Sequence, residues 1–422
     1  MFSKYFKFSI KINKLMISSL LLIFISSNYV IAKTTIEFIQ WWQPEMPKGT
    51  FQAIIDDFEK KNPNIKVKLI SGPYSTISQQ ISVGAATGTL SDVVGLDGAW
   101  VNDFAKQGAL TPMDPLMRAG NLDPSEIAAI IKIENKSYMF PVATFIYPLF
   151  VNLDHMSDAG ITGMPKTRSD FLDAAKKLTN KSKNQYGWAL PLSMETPWGV
   201  QNDGMAWVWA VAGKMMKNGR PNLKNNKDVI SMLKFLNDAH KAGVLSPGTL
   251  NKKEHDKVEE FANGRSSMII SPIAHINMLR DRNPNLNFTI TALPVVDGFK
   301  GKSGVSYAAW GLGISEHSNK KKEAWKLVEH LMSAEVNSRL VSYANAFPGN
   351  KKAVPDSVKS DRLMAKAFKI FNNGYLDNEF TGLPVAVELM RMFNYEVQLM
   401  IQGKQSPEET AANTHAKWIG EF

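Results

Sequence analysis

The chain has 422 residues, of which 44% are hydrophobic, and carries a formal net charge of +10. It has enough apolar residues for a large core and is too long for one ordinary domain. The positive charges lie in short pairs and runs. They do not form a basic stripe interleaved with aromatic side chains, so we do not expect a nucleic-acid partner.

An export signal is predicted over residues 1–32. A basic stretch with four lysines precedes the apolar run 15–27, and small or modest side chains lead to Ala32, after which we expect cleavage. The alternative, an uncleaved membrane anchor, is disfavoured because the apolar run is short for a membrane span. Residues 1–32 contain no acid, so removing their four lysines lowers the net charge from +10 to +6.

The sequence contains no cysteine. An exported chain without cysteine forms no disulfides and depends on its core for stability. It also lacks the residue to which a lipoprotein anchor is attached at the cleavage site. We therefore expect a soluble, monomeric periplasmic protein that is not a lipoprotein.

Segments with the apolar spacing of strands alternate along the chain with segments that have the apolar spacing of helices, which predicts an α/β fold. Segments 34–40 and 65–70 alternate apolar and polar residues, and the residues between them fit a helix with Thr50 as its cap. Such a strand–helix–strand unit implies parallel pairing. Further helices are predicted over 75–86, 169–178, 205–212, 227–242, 323–332, 335–343 and 386–403 and after a cap at Ser406. Further strands are predicted over 92–96, 186–190, 267–271, 288–293 and 307–315.

The apolar stretch 138–154 is where we expect the chain to pass from one lobe to another. Pro141 and Pro148 each remove a ladder donor, so a strand, a crossing segment around Thr144 and a second strand fit better than one central strand. A buried hairpin within one domain is the alternative. Because no single Gly/Ser linker is present, we expect more than one crossing. The predicted lobes are 33–145 with about 290–335, and 146–289 with about 336–422.

Motifs for metal, phosphate or nucleophile chemistry are missing from the sequence. The seven histidines are scattered, so no metal site is expected. Residues 301–303 look like the end of a phosphate-binding loop, but the upstream glycine is too close and the segment does not join a strand to a helix, which favours an exposed turn. No Gly-x-Ser-x-Gly elbow occurs. We therefore expect neither catalysis nor a cofactor.

Aromatic residues recur at the ends of predicted strands and in loops. Ligands of parallel α/β sheets bind beyond the carboxyl ends of the strands, and flat aromatic faces there suit the apolar faces of sugar rings. Core packing is the alternative for any single tryptophan. The aromatic residues in such positions are Trp41, Trp42, Tyr74, Trp100, Trp198 and Trp310, and the nearby groups that can bond hydroxyls are Gln43, Asp97, Thr144 and Ser271.

Seven segments, taken in order, resemble the extracellular solute-binding proteins of family 1, which are the receptors of carbohydrate ABC importers. Together they span nearly all of the chain after residue 32, and their order carries the resemblance more than any one motif does. The segments are IEFIQWW, FQAIIDDFEKKNPNIKVKL, GTLSDVVGLDGAWVNDFAKQGALTPMDPL, YMFPVATFIYPLFVNLD, FANGRSSMIISP, WGLGIS and QGKQSPEET.

The resemblance implies two α/β lobes of the type II-like periplasmic-binding-protein fold, which close on a ligand by a hinge motion. It implies a mono- or disaccharide ligand in the cleft and a membrane permease as partner. Similarity to the maltose and glycerol-3-phosphate receptors suggests cleft roles for Tyr74, Asp97, Thr144, Ser271 and Arg391. The predicted ligand-binding residues are thus Trp42, Gln43, Tyr74, Asp97, Thr144, Trp198, Ser271, Trp310 and Arg391.

Two alternatives stay open. Arg391 resembles a phosphate-binding arginine, which favours a glycerol-3-phosphate or glycerophosphodiester receptor unless this arginine forms an ion pair along its own helix. A secreted carbohydrate-degrading enzyme is the alternative from another class. It would need two carboxylates facing each other across the cleft at roughly 5–10 Å.

Overall fold

Two β-sheets organise the part of the chain that the computed structural model describes, residues 33–422; the signal peptide predicted over 1–32 lies outside the described residues. The larger sheet runs Phe347–Pro348, Lys136–Ile146, Gly304–Ile314, Val93–Leu96, Thr34–Gln40 and Ile65–Ser71, with Tyr375–Asp377 and Ile131–Ile133 paired beside it. The smaller sheet runs Phe288–Thr291, Leu149–Asn152, Ser266–Ile270 and Tyr186–Trp188. A short ladder pairs Met216–Lys217 with Arg220–Pro221.

Helices connect these strands. The α-helices within residues 33–422 are Thr50–Lys61, Tyr74–Thr87, Val101–Lys106, Asp114–Ala119, Leu153–Asp158, Arg168–Leu178, Ala206–Trp209, Lys227–Lys241, Glu254–Ala262, His275–Arg282, Lys321–Met332, Ala334–Ala344, Ser357–Ser360, Arg362–Asn373, Ala386–Ile401 and Pro407–Ile419. Short 3-10 turns occur at Gln43–Glu45, Pro124–Glu126 and Lys181–Lys183, and a π-helix at Val200–Met205. None of the helices in this range is both long and apolar enough to cross a membrane.

The strand–helix–strand unit predicted at the start of the fold is confirmed. Thr34–Gln40 pairs in parallel with Ile65–Ser71 on one side and with Val93–Leu96 on the other. The intervening helix Thr50–Lys61 buries the apolar face that its spacing predicted. All three strands therefore end at the same edge of the larger sheet.

Helix caps were predicted at Thr50 and Ser406, and only the second is confirmed. Gly49 occupies the cap position of the first helix with a φ of 84°, and the Thr50 hydroxyl instead donates to the Pro47 carbonyl at 2.7 Å. A glycine adopts this left-handed backbone without the cost that other residues bear. Ser406 forms a reciprocal capping box with Glu409, whose backbone N–H donates to the Ser406 hydroxyl at 3.1 Å.

The passage between the sheets is confirmed, but its position was predicted wrongly. One strand, Lys136–Ile146, runs through Pro141 and Thr144 without interruption. The break comes at residues 147–148, and the next strand, Leu149–Asn152, lies in the smaller sheet. The alternative of a hairpin within one domain is therefore wrong.

Pro141 fits inside a strand because the ladder is irregular around it. Trp310 lies opposite Ala143 and Gly311 lies opposite Pro141, with a register shift between Trp310 and Gly311. A bulge leaves one residue outside regular pairing. Proline has no N–H to donate, and beside the bulge the ladder does not require that hydrogen bond.

The larger sheet also takes residues from a range that the predicted boundaries gave to the second lobe. Phe347 lies opposite Thr144 at the edge of this sheet. The preceding helix Ala334–Ala344 packs against the same strand, where the Asn337 side-chain amide donates to the Val142 carbonyl at 2.8 Å. These contacts extend the part of the chain built on the larger sheet past residue 335.

We expect Gly349→Ala to destabilise the protein by about 1–3 kcal/mol, because a Cβ at this position would lie 1.7 Å from the Pro141 carbonyl oxygen. Urea unfolding measures this change. Gly163→Ala is the matched control, since a Cβ there meets nothing within 4 Å. Equal unfolding midpoints for the two variants would contradict the close approach at the bulge.

Candidate ligand-binding cavity

A cavity of about 510 Å³ lies between the regions built on the two sheets, and its volume is typical of small-molecule sites. Glu45, Tyr74 and Asp97, which follow the three parallel strands of the larger sheet, line one side. Trp198, after the strand Tyr186–Trp188 of the smaller sheet, and Glu254, at the start of the helix before the strand Ser266–Ile270, line the other. The strand ends meet at one edge because the strands are parallel, which brings residues distant in sequence into one wall.

Four aromatic rings, Trp41, Tyr74, Trp100 and Trp198, form a cluster that joins the two walls. The Tyr74 ring centroid lies 5.0 Å from that of Trp41 and 5.8 Å from that of Trp100. Across the cavity, Tyr74 lies 5.3 Å and Trp100 lies 6.5 Å from Trp198. Aromatic pairs at these separations attract each other. The aromatic cluster therefore holds the walls together while Trp41, Tyr74 and Trp198 line the cavity.

A second aromatic surface is built around Trp310, which also lines the cavity. Trp42 stacks behind it with centroids 5.3 Å apart and ring planes 7° from parallel, and Phe145 lies 4.6 Å away. Trp42 is fully buried and does not line the cavity. Of the two adjacent tryptophans after the first strand, Trp41 faces the cavity and Trp42 supports Trp310.

Asp97 is the predicted polar residue that reaches the wall. Its carboxylate accepts a hydrogen bond from the Tyr74 hydroxyl at 3.2 Å and from the Ala99 backbone N–H at 2.9 Å. Burial raises the pKa of Asp97 above its ordinary value, and these two hydrogen bonds oppose that shift. They also fix the direction in which the carboxylate points.

Of the nine predicted site residues, the structure brings Tyr74, Asp97, Trp198 and Trp310 to the wall of the cavity. The other five are not among its lining residues: Trp42, Gln43, Thr144, Ser271 and Arg391. Three of these lie next to residues that are. Trp42 stacks on Trp310. Gln43 precedes Pro44 and Glu45 on the wall, and Ser271 shares a 2.7 Å hydrogen bond with the lining residue His275.

Arg391 lies away from the cavity. Its guanidinium donates to the Met194 carbonyl at 3.1 Å and lies 3.5 Å from Glu388, one turn earlier on its helix. The ion pair within the helix, which was the other interpretation of this arginine, is the one formed. The cavity therefore lacks the residue that favoured a phosphate-bearing ligand.

Several lining residues were not predicted, among them Glu45, Tyr147, Glu254 and His275. Glu45 follows the first strand by five positions, so the rule about strand ends could have identified it. Tyr147 occupies the break between the two sheets. It was missed because the crossing segment was predicted around Thr144, a few residues too early. Glu254 and His275 each begin a helix that the sequence patterns did not reveal.

A buried ion-pair network supports the wall on the smaller-sheet side. Lys257 is fully buried, and its ammonium lies 2.6 Å from Asp203 and 3.3 Å from Glu254. Burial raises the pKa of Asp203 to about 8 and lowers the pKa of His275 to about 3, so this histidine is uncharged. Within residues 33–422, no group of three or more histidine, cysteine or acidic side chains is placed to hold a metal ion.

The fold and the cavity define a two-lobed solute receptor, and comparison with known proteins agrees. The sequence model of bacterial extracellular solute-binding proteins matches residues 44–338, and the chain belongs to this family. A binding protein of Brucella abortus is 22% identical over 375 residues, which cover 87% of this chain and 88% of that relative. The galactooligosaccharide-binding protein of Bacillus subtilis is 21% identical over 375 residues, covering 88% and 86%.

The fold is also shared with solved structures. A solute-binding protein of an ABC transporter from Thermotoga lettingae, bound to α-D-tagatose, superposes with a TM-score of 0.81 at 23% identity. The alignment covers 92% of this chain and 99% of that one. The two-lobed periplasmic-binding-protein architecture is thereby confirmed.

Glu45 gives the protein a pH-dependent stability. Burial, with a smaller contribution from the Glu254 carboxylate, raises the pKa of Glu45 from 4.5 to about 8. The folded protein therefore binds this proton more tightly than the unfolded chain does, and the contribution of Glu45 to the free energy of unfolding falls as the pH rises between those values.

We expect the free energy of unfolding of the wild type, relative to Glu45→Gln, to decrease by up to about 1.4 kcal/mol per pH unit within this window. Urea unfolding of both proteins at a series of pH values measures the difference. Parallel stability curves for the two proteins would contradict the raised pKa.

Proposed function

We propose that this protein is the extracytoplasmic receptor of a carbohydrate ABC importer and that it binds a sugar, from a monosaccharide to a short oligosaccharide, in the cavity between its lobes. The observation that carries the proposal is the presence of two aromatic surfaces, one around Tyr74 and Trp198 and one around Trp310, in the wall of one cavity. Ring faces suit the apolar faces of a sugar, and polar groups between them can bond its hydroxyls.

Two polar groups support a hydroxylated ligand. The Trp198 indole N–H is buried and has no hydrogen-bond partner within residues 33–422. The Asp97 carboxylate is already oriented by its own hydrogen bonds. A buried donor without a partner is costly, so a ligand oxygen that accepts from it recovers that free energy.

The proposed mechanism is a population shift. We take the lobes to be 33–145 with about 290–335 and 146–289 with about 336–422, with the segment around Phe347 moved to the first lobe. A ligand that contacts Tyr74 and Trp198 together does so only when the lobes are closed. It therefore favours closure by its difference in affinity for the two states. The closed form is then the one presented to the permease.

The names of related proteins support the ligand class. The relative from Bacillus subtilis is named for galactooligosaccharides, and the neighbour from Thermotoga lettingae holds α-D-tagatose. We propose that this chain likewise takes a carbohydrate, acts as a monomer in the periplasm after signal cleavage, and carries out no catalysis. Members of the family are binding proteins.

A panel of ligands tests the function directly. Thermal melting of the purified protein with mono-, di- and oligosaccharides, glycerophosphates and polyamines should show a raised midpoint for carbohydrates, because a ligand that binds only the native state stabilises it by mass action. At a concentration of 100 times Kd this amounts to about 2.7 kcal/mol. A midpoint raised only by glycerophosphates would overturn the proposal.

Replacing Trp198 by Ala should weaken sugar binding at least about tenfold, which corresponds to about 1.4 kcal/mol, without unfolding the protein. The change removes one ring face and the indole donor from the cavity wall. Titration calorimetry measures the affinity. Tyr395→Ala is the matched control, because this aromatic side chain is 47% exposed and lies outside the cavity. An unchanged Kd for the Trp198 variant would rule out its role.

A further inference from the structure

The cavity that we propose for sugar binding contains carboxyl groups without a cation paired to them. Three carboxylates line it: Glu45, Asp97 and Glu254. They come from both sides, the first two from the larger-sheet wall and the third from the smaller-sheet wall. Within residues 33–422, Glu45 and Asp97 form no ion pair with a lysine, arginine or histidine side chain.

The basic residues of the wall do not pair with these carboxyl groups. Lys253 pairs with Glu195, and Arg282 pairs with Glu259, so each is neutralised by an acid that is not part of the wall. Two histidines also line the cavity. His255 lies 3.0 Å from Asp256, an acid outside the wall. Burial lowers the pKa of His275 to about 3, so His275 contributes no positive charge.

The negative charge of Glu254 is only partly balanced by the ammonium of Lys257. The ammonium of Lys257 lies closer to Asp203, at 2.6 Å, than to Glu254, at 3.3 Å. One cation thus serves two acidic side chains, and it lies nearer to the one that does not line the cavity. Burial, and then Glu254, raise the pKa of Glu45 to about 8, so this carboxyl is mostly protonated at pH 7 in the empty cavity. An ammonium placed beside it favours its ionised form, because an opposite charge stabilises the carboxylate.

The walls between these carboxylates are aromatic. Trp41, Tyr74, Trp198 and Trp310 all line the cavity. A cation near the face of such a ring is attracted by the ring quadrupole, and the attraction is stronger where water is excluded. Aromatic faces and carboxylates in one enclosed space are complementary to an organic cation. The structure holds no cluster suited to a metal ion within residues 33–422.

We propose, on the basis of the sugar-receptor function, that the preferred ligand is an amino sugar with a free, protonated amine. The sugar ring lies against the aromatic surfaces, and the ammonium lies between the carboxyl groups of Glu45 and Glu254, where it donates hydrogen bonds and pairs with their ionised forms. An N-acetylated sugar has no such charge and binds more weakly. A phosphorylated sugar is repelled by the same carboxylates.

Titration calorimetry with matched ligands tests this inference. The probes are glucosamine, glucose and N-acetylglucosamine, the corresponding galactose series, the β-1,4-linked dimers of each, and putrescine as an amine without a sugar ring. We work at about pH 7, below the pKa of ordinary amines. At least one free amino sugar should bind at least about tenfold more tightly than both its neutral parent and its acetylated form.

Two variants localise the effect. Glu45→Gln and Glu254→Gln keep the size of the side chain but remove the charge, and each should reduce the ratio of amino-sugar affinity to neutral-sugar affinity at least about threefold. Glu388→Gln is the control, because this acid pairs with Arg391 outside the cavity and should leave the ratio unchanged. Thermal midpoints without ligand verify that all three variants are folded.

The outcomes separate this inference from the function on which it rests. Equal or tighter binding of a neutral or acetylated sugar would overturn the amine preference and leave the sugar receptor intact. Binding of putrescine with no sugar of any series would overturn both. A tenfold preference that persists in both glutamine variants would show that the amine is recognised elsewhere, and would overturn the assignment to Glu45 and Glu254.

Discussion

The pairing of two long antiparallel strands, Lys136–Ile146 and Gly304–Ile314, is the constraint on which the rest of the structure depends. The first strand continues directly into residues 147–148 and then into the smaller sheet, so it connects both regions. The same two strands bring Phe145 and Trp310 to the cavity wall. The strand Lys136–Ile146 therefore both connects the lobes and contributes a residue to the cavity wall. The bulge beside Pro141 allows this strand to bend while it stays paired in the larger sheet.

Much of the fold could be predicted because apolar periodicity is strong where one face of an element is buried. The helix Thr50–Lys61 and its flanking strands followed from that pattern, and so did the final helix after Ser406. The pattern failed where burial is not apolar. Residues 200–203 fit a polar loop by sequence, yet they are buried in the π-helix Val200–Met205, where Asp203 is paired with Lys257 from a distant helix. Tertiary ion pairs of this kind leave no local signal.

The candidate site was predictable to the extent that strand ends define it. Tyr74 and Asp97 follow parallel strands, and this position, together with the family resemblance, suggested their place on the wall. Trp42 was predicted to bind the ligand, but Trp41 is the one of the two that lines the cavity. The sequence offers no basis for this choice, since two adjacent residues at a strand end have no fixed orientation once the ladder stops. Arg391 was suggested as a ligand-binding residue by resemblance alone. Its ion pair with Glu388, three residues earlier on the same helix, was the alternative that sequence spacing allowed.

The aromatic cluster makes the intrinsic tryptophan fluorescence of the protein sensitive to lobe closure. Trp41 and Trp100 belong to one side of the cavity and Trp198 to the other, so opening the lobes transfers indole rings from an apolar environment to water. The stacked pair of Trp42 and Trp310 stays within one side and keeps its geometry. Intrinsic fluorescence then contains one component that follows closure and one that does not. Lobe motion can be timed in the unmodified chain, which has no cysteine for a conventional label.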